Sequence, residues 1–415
     1  MSIALPTVVR PIARGATRTA PVPAMVLAAW AALFVNVLGW ADSATLLPIQ
    51  HTAGHTIAQA ALPLAVLFAL VANRTLVVRP QLFLVLLLVM AVVAVMVSVH
   101  NVYLLGSTYR ACRFVGFAVV LWLLSPWFGR RDLMLLRSHL AVMRGVLATV
   151  LLATAISPGL AFSFEGRLSD TLWPIPPTQV AHYAAMLLGI TVVLWLCRVV
   201  PGRTALATVA IAGAMLLLTH TRTALLASVL GLICSGGSLF FRQARVRRFA
   251  GIAIGAVVLG VSLFASEVSA WILRGQSTQD ATELTGRTKV WAQIADLHRS
   301  PLHTIFGDGI SNMSFNGLPI DSSWMSTYLD EGWFGIAMQA GILLLLIGLA
   351  VAQEPGPRRA VALFILTYCA VASATETGLG GPSPYFLDLA VAAALLAPPL
   401  PLRQPLRQPL RAGQR

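Results

Sequence analysis

Residues 81–98 read QLFLVLLLVMAVVAVMVS, a run without a single charge. A helix rises 1.5 Å per residue, so about twenty apolar residues match the roughly 30 Å hydrocarbon core of a bilayer. Arg74 and Arg79 stand before the run and His100 and Asn101 after it, so polar groups fall where a crossing has to end. The same reading carried outward finds apolar runs at 24–41, 57–73, 105–125, 139–157, 179–197, 204–220, 222–240, 249–266, 324–351, 360–375 and 385–399. The expected fold is all-α: a polytopic integral membrane protein of about twelve transmembrane helices, with a large outer-side loop between spans 9 and 10. The expected organisation is an N-terminal arm (1–23), a transmembrane domain (24–399, with the outer loop at 267–323) and a basic tail (400–415).

Composition agrees with that reading. The chain has 415 residues, 57% hydrophobic and 11% charged, whereas a soluble domain carries roughly a quarter charged residues. A net charge of +14 raises nucleic acid as a partner. The basic residues, however, fall in short loops between apolar runs and not on one amphipathic face, so no nucleic acid is expected. Assigning the loops alternately to two sides gives one side Arg10, Arg14, Arg18, Arg74, Arg79, Arg130, Arg131, Arg137, Arg144, Arg198 and Arg203. It also receives Arg242, Arg245, Arg247, Arg248, Arg358, Arg359 and the tail arginines, making twenty-one of the 29 basic residues. The other side holds Arg110, Arg113, Arg167, Arg222, Arg274, Arg287, Lys289 and Arg299, with nearly all the acids. By the positive-inside rule both termini lie in the cytoplasm and the acidic side faces outward.

Cys112, Cys197, Cys234 and Cys369 are scattered through apolar runs without the spacing of a disulfide or metal framework. His51 and His55 in HTAGH lack a third strong ligand, so no metal is expected. In the outer loop, Val290, Trp291, Ile294 and Leu297 recur at helical spacing and predict a short interfacial helix.

The chemistry is expected among the outer arginines. Arg110 and Arg113 share one helix face, and an arginine there is costly against lipid unless it meets a partner or a watery cavity. Arg222 stands at the start of a span whose free amides favour anions. With Arg167 in EGRLSDTLWPIPP, Arg287 in TGRTKVW and Arg274, these residues supply enough guanidinium to hold a diphosphate, whose oxygens fit the planar fork. The alternative for each arginine is pairing with Glu165, Asp170, Glu283 or Asp330. Asp321, followed by Ser322 and Ser323, reads as a helix N-cap, either as a cap alone or as a cap with a further contact to a substrate hydroxyl.

Three stretches carry a family resemblance: THTRTALLASVLGL (219–232), TGRTKVWAQIADLHRSPLHTIFGDG (285–309) and DSSWMSTYLDEGWFG (321–335). They resemble, in order, the small-polar, Arg, Leu-Leu span start, the Gly-Arg, Trp, Pro, Gly-x-Gly loop and the acidic-x-Gly-x-x-Gly span start of the O-antigen ligase and O-antigen polymerase superfamily of bacterial envelope glycosyltransferases. Arg222, Arg287, Trp291, Pro301, Gly307, Gly309, Gly332 and Gly335 fall on the matching positions. GRLSDTLWPIPPTQVAHYAA (166–185) is similar to the family's Gly-Arg-Leu loop but has Thr178 after Pro177 where the family has asparagine. Asp321 stands where ligases of the family have histidine, which tilts the resemblance toward a polymerase.

The resemblance implies an enzyme of the bacterial cytoplasmic (inner) membrane, metal-independent and without cofactor. It would transfer a glycan from an undecaprenyl-diphosphate-linked donor to the sugar hydroxyl of an acceptor glycan or glycolipid on the outer face. Asp321, Arg222 and Arg287 are the expected catalytic residues, with Arg110, Arg113, Arg167 and Arg274 binding the diphosphate. The alternatives are ligase-type transfer to a different acceptor, a lipid-linked glycan flippase or transporter using the mid-depth Asp388 and Arg113, and a structural scaffold of an envelope complex.

Overall fold

A computed structural model describes residues 23–40, 45–46, 51–101, 103–130, 132–263, 287–311 and 313–399. Each of the twelve apolar runs folds as a helix: α1 (Ala24–Val37), α2 (His51–Ala72), α3 (Leu82–Ser98), α4 (Leu104–Leu123), α5 (Met134–Ile156), α7 (Pro177–Leu196), α8 (Gly202–Leu218), α9 (Arg222–Leu239), α10 (Ala244–Leu263), α13 (Ser323–Ala352), α14 (Pro357–Ala372) and α15 (Pro384–Leu396). One-turn α6 (Pro158–Ala161) follows α5. In the stretch expected to be the outer loop lie α11 (Arg287–Ala295), α12 (Pro301–Phe306) and a hairpin of two two-residue strands, β1 (Ser314–Phe315) with β2 (Leu318–Pro319). The helices α7, α14 and α15 begin on a proline, whose fixed φ suits the first turn and whose missing N–H is no loss there.

Among the described residues six helices, α2, α4, α5, α7, α9 and α13, are long and apolar enough to cross a membrane, while α1, α3, α8 and α15 are shorter apolar helices. The 13 residues of α15 span only about 20 Å, less than a hydrocarbon core. Protein surrounds α15, so lipid does not have to match its length: Tyr385 through Leu396 are all buried. The most enclosed long span is α7, 83% buried and packed on α5, α8, α9 and α14. Phe364 of α14 fills the gaps opposite Gly189 and Gly231, where a Cβ would meet its ring at 1.8 and 2.8 Å. Small residues let these backbones approach, as packing in lipid demands.

Several hydrogen bonds join segments that the charge pattern assigns to the same side. At one end of the bundle, Leu46 N–H donates to Thr171 O, Leu168 N–H to Leu218 O, Asn101 Nδ2 to Asp308 O and Ser323 N–H to Glu376 O. At the other, Arg79 N–H donates to Ser125 Oγ, Gly129 N–H to Ala394 O and Arg245 Nη1 to Trp195 O.

The core holds one polar knot. His139 Nε2 and His182 Nε2 lie 2.8 and 2.9 Å from the two oxygens of Asp388, and Trp30 Nε1 donates to His139 Nδ1 at 3.3 Å. All four residues are buried, and they tie α1, α5, α7 and α15 together. Removing one partner of such a set strands the others without water. Asp388→Ala is therefore expected to cost about 3 kcal/mol, read as a lower unfolding midpoint in detergent, whereas an unchanged midpoint would show the knot to be dispensable.

The feature that builds the site is a break in α13. Gly332 adopts φ 64°, ψ −157°, so α13 is two helices meeting at that residue. A break frees the last carbonyls of the first half. Arg299 Nη1 donates to Tyr328 O at 3.1 Å, Asp308 N–H to Leu329 O at 3.1 Å and Gly309 N–H to Asp330 O at 2.8 Å. The approach is backbone on backbone. A Cβ on Gly307 would lie 2.3 Å from Asp330 C, and one on Gly332 would lie 2.5 Å from Ile305 C. The glycines of the two motifs therefore belong to one crossing, which fixes the outer loop on the first half of α13.

Candidate functional site

The interfacial helix predicted from Val290, Trp291, Ile294 and Leu297 is α11, and it is not a loose cover. Val290 and Ile294 are buried in a small cluster with Ile320 and Leu329. This docking brings Arg287, the first residue of α11, against Asp321, the residue before the α13 cap: Arg287 Nε donates to Asp321 Oδ2 at 3.0 Å. The N-cap itself is Ser322, whose side chain accepts from Met325 N–H. The capping role expected of Asp321 thus falls one residue later, which releases its carboxylate for Arg287.

Arg167 reaches the same region from the loop before α7. Its Nε donates to Thr219 O at 2.9 Å and its Nη2 to Thr221 Oγ1 at 3.1 Å, locking it to the turn that leads into Arg222 and α9. Arg167 and Arg287 feel each other's charge, so this cluster carries repelling guanidiniums. Burial, foremost, and that like charge lower the proton affinity of Arg167, against the opposing pull of Glu165 and Glu376. Like charges held close in this way favour an anion.

A residue outside every sequence motif completes the cluster. The stretch SATETGLGG (373–381) between α14 and α15 folds over the starts of α9 and α13. Thr375 and Thr223 share a hydrogen bond between hydroxyls at 2.8 Å, beside Arg222. Ser323 donates to Glu376 O through both N–H and Oγ, at 3.0 and 2.8 Å. Trp324 Nε1 donates to Ser373 Oγ at 3.1 Å. The Glu376 carboxyl is pushed up to about 7, chiefly by burial and also by Asp321, while Arg287, His182 and Arg167 pull it down. The only sequence signal was a lone acid among small residues on the expected outer side.

The other expected site residues lie elsewhere. Arg110 faces a separate cavity of about 870 Å³ with Ser107, Ser311 and Asn316, within electrostatic reach of Asp330. Arg113 turns into the bundle, where Nε donates to Asn36 Oδ1 at 3.3 Å and Nη2 to Asn36 O. Arg274 lies outside the described residues. Of the acids offered as alternative partners, Glu165 attracts Arg167 and Asp330 lies within electrostatic reach of Arg110 while accepting from Ser311 N–H at 3.1 Å, Asp170 accepts from Thr149 Oγ1 at 2.9 Å, and Glu283 lies outside the described residues. Among the described residues no three His, Cys, Asp or Glu side chains converge as a metal set.

Three elements of this cluster, Arg222 with its turn, Arg287 on α11 and the broken α13, fall within one continuous segment. No curated protein matches the chain. Residues 207–349 match the family model described as O-antigen ligase, which supports the resemblance of those motifs to the O-antigen ligase and O-antigen polymerase superfamily.

Proposed function

We propose that the protein is a polysaccharide polymerase of the cytoplasmic membrane. It moves a glycan from an undecaprenyl-diphosphate-linked donor to an acceptor sugar hydroxyl at the outer face, using about twelve spans with both termini in the cytoplasm. The observation that supports this reading is that Arg167, bonded to the turn that leads into Arg222, and Arg287, paired with Asp321, lie within reach of each other's charge, on the side that charge asymmetry assigns as outer. A diphosphate is already a good leaving group. Guanidiniums fixed before the reaction can take up the charge that grows as the glycosidic bond breaks, so the step needs no metal ion. Asp321 holds the Arg287 fork in position, and the acceptor hydroxyl approaches beside it.

The transport reading loses support because both mid-depth groups it relied on are engaged in packing, Asp388 with two histidines and Arg113 with Asn36. Purified protein in liposomes, supplied with a lipid-diphosphate oligosaccharide, tests the proposal. Longer lipid-linked chains establish a polymerase. Transfer only onto a different supplied acceptor establishes a ligase, and donor crossing the bilayer without transfer overturns both.

In the same assay Asp321→Asn is expected to lower kcat only about tenfold, about 1.4 kcal/mol, because a neutral amide oxygen still accepts from Arg287 Nε. A loss of a thousandfold or more would make Asp321 the proton acceptor instead of the residue that orients Arg287.

A further inference from the structure

We infer that Glu376, from the loop between α14 and α15, is the catalytic base that takes the proton of the acceptor hydroxyl. The inference rests on the transferase reading and assigns it a residue outside the matched segment 207–349. Of the three carboxylates that border the arginine cluster, Glu165 is exposed, and the other two are placed differently. Asp321 Oδ2 is already occupied by Arg287 Nε. Glu376 is held through its backbone instead, by two hydrogen bonds from Ser323, two residues after Asp321, with its carboxyl within electrostatic reach of Arg287 and Arg167. The loop has further anchors in Thr223, beside Arg222, and in Leu379, whose N–H donates to Ser323 Oγ at 3.2 Å. A base must be fixed relative to the leaving group, and this loop is tied to the start of α9, which carries Arg222, and to the start of α13, beside the Asp321 that holds Arg287.

The charged and titratable groups around Glu376 come from every neighbouring element: Arg167 before α7, His182 on α7, Arg287 on α11, Asp321 before α13, Tyr368 on α14 and Tyr385 on α15. In the step, the acceptor oxygen forms a bond to the anomeric carbon and the bond from that carbon to the diphosphate oxygen breaks. The electron pair leaves on the lipid diphosphate, against the arginines. The hydroxyl proton passes to the Glu376 carboxylate, which later releases it to water. A carboxyl near 7 suits the task, since it is ionised in half the molecules at neutral pH yet still basic enough to draw a proton.

The test compares wild type, Glu376→Gln and Glu376→Asp in the liposome transfer assay from pH 5.5 to 8.5, with donor binding measured on each. Wild-type kcat should rise with pH through about 7. Glu376→Gln should bind donor normally, lose about 10³-fold in kcat and lose the rising limb. Glu376→Asp should keep the limb with part of the rate. Burial raises this carboxyl, so its charged form is the strained one, and the amide should leave the unfolding midpoint at pH 8 equal to or above that of wild type. Lost activity is thereby separated from lost folding. Wild-type turnover in Glu376→Gln, or donor binding lost together with turnover, overturns Glu376 as the base. Wild-type protein that transfers nothing overturns the transferase reading, and this inference with it.

Discussion

Arg287→Ala is expected to lower kcat/KM about 10³-fold, about 4 kcal/mol of transition-state stabilisation, with the protein still folded and inserted. The size follows from where the charge sits. The guanidinium lies beside Arg167 and is aimed by Asp321, so it is fixed before the diphosphate begins to leave and no reorganisation is needed. Arg222→Ala should cost a similar amount, and the double variant should cost less than the sum, because both side chains serve one leaving group. Arg287→Lys should recover only a fraction of the rate, since an ammonium cannot span two oxygens. Transfer assays on variants with wild-type circular dichroism and unfolding midpoints decide the matter. Full activity in Arg222→Ala and Arg287→Ala would remove the diphosphate clamp.

Gly332→Ala should be the most damaging single change to the folded state, at about 3 kcal/mol or more, read as a collapse of the unfolding midpoint and of recovered folded protein. Two costs add at that position. A side chain at φ 64° and ψ −157° is strained wherever it is placed. In addition, the new methyl would sit 2.5 Å from the carbonyl carbon of Ile305, a backbone atom that cannot swing aside. If Gly332→Ala keeps its wild-type midpoint, the crossing of the outer loop over α13 is not what holds Arg287 against Asp321. Stability should then be sought in the buried cluster of Val290, Ile294, Ile320 and Leu329.

The two predictions touch different layers of one construction. Arg287 acts on the substrate, whereas Gly332 acts on the frame that aims Arg287. This frame also explains the spacing of the glycine motifs. Read along the chain, Gly307 and Gly332 are separate features 25 residues apart. In space each backbone passes where the other would carry a Cβ. Arg299, an outer arginine that did not enter the expected site, belongs to the frame as well, because it closes the carbonyls that the break in α13 leaves open.

What the chain determined by itself is the part governed by local physics. Each apolar run buries or leaves water as one segment, and each basic loop responds to the membrane as one segment, so residues such as 81–98 announce their helix without knowing their neighbours. Arg222 and Arg287 were legible for a related reason, as short motifs of fixed spacing. What only the tertiary structure decided is which polar groups meet. Arg113 and Arg167 look alike as outer arginines, yet one turns to Asn36 in the bundle and the other to Thr219 and Thr221 beside Arg222. Asp321 changed from a cap to the partner of Arg287 because Ser322 took the cap and α11 docked beside it. Glu376 entered the cluster only because α14 and α15 return its loop to the starts of α9 and α13, more than 50 residues from Ser323 and more than 150 from Thr223. Such meetings depend on the packing of helices distant in sequence, and the energy that selects them belongs to the whole bundle.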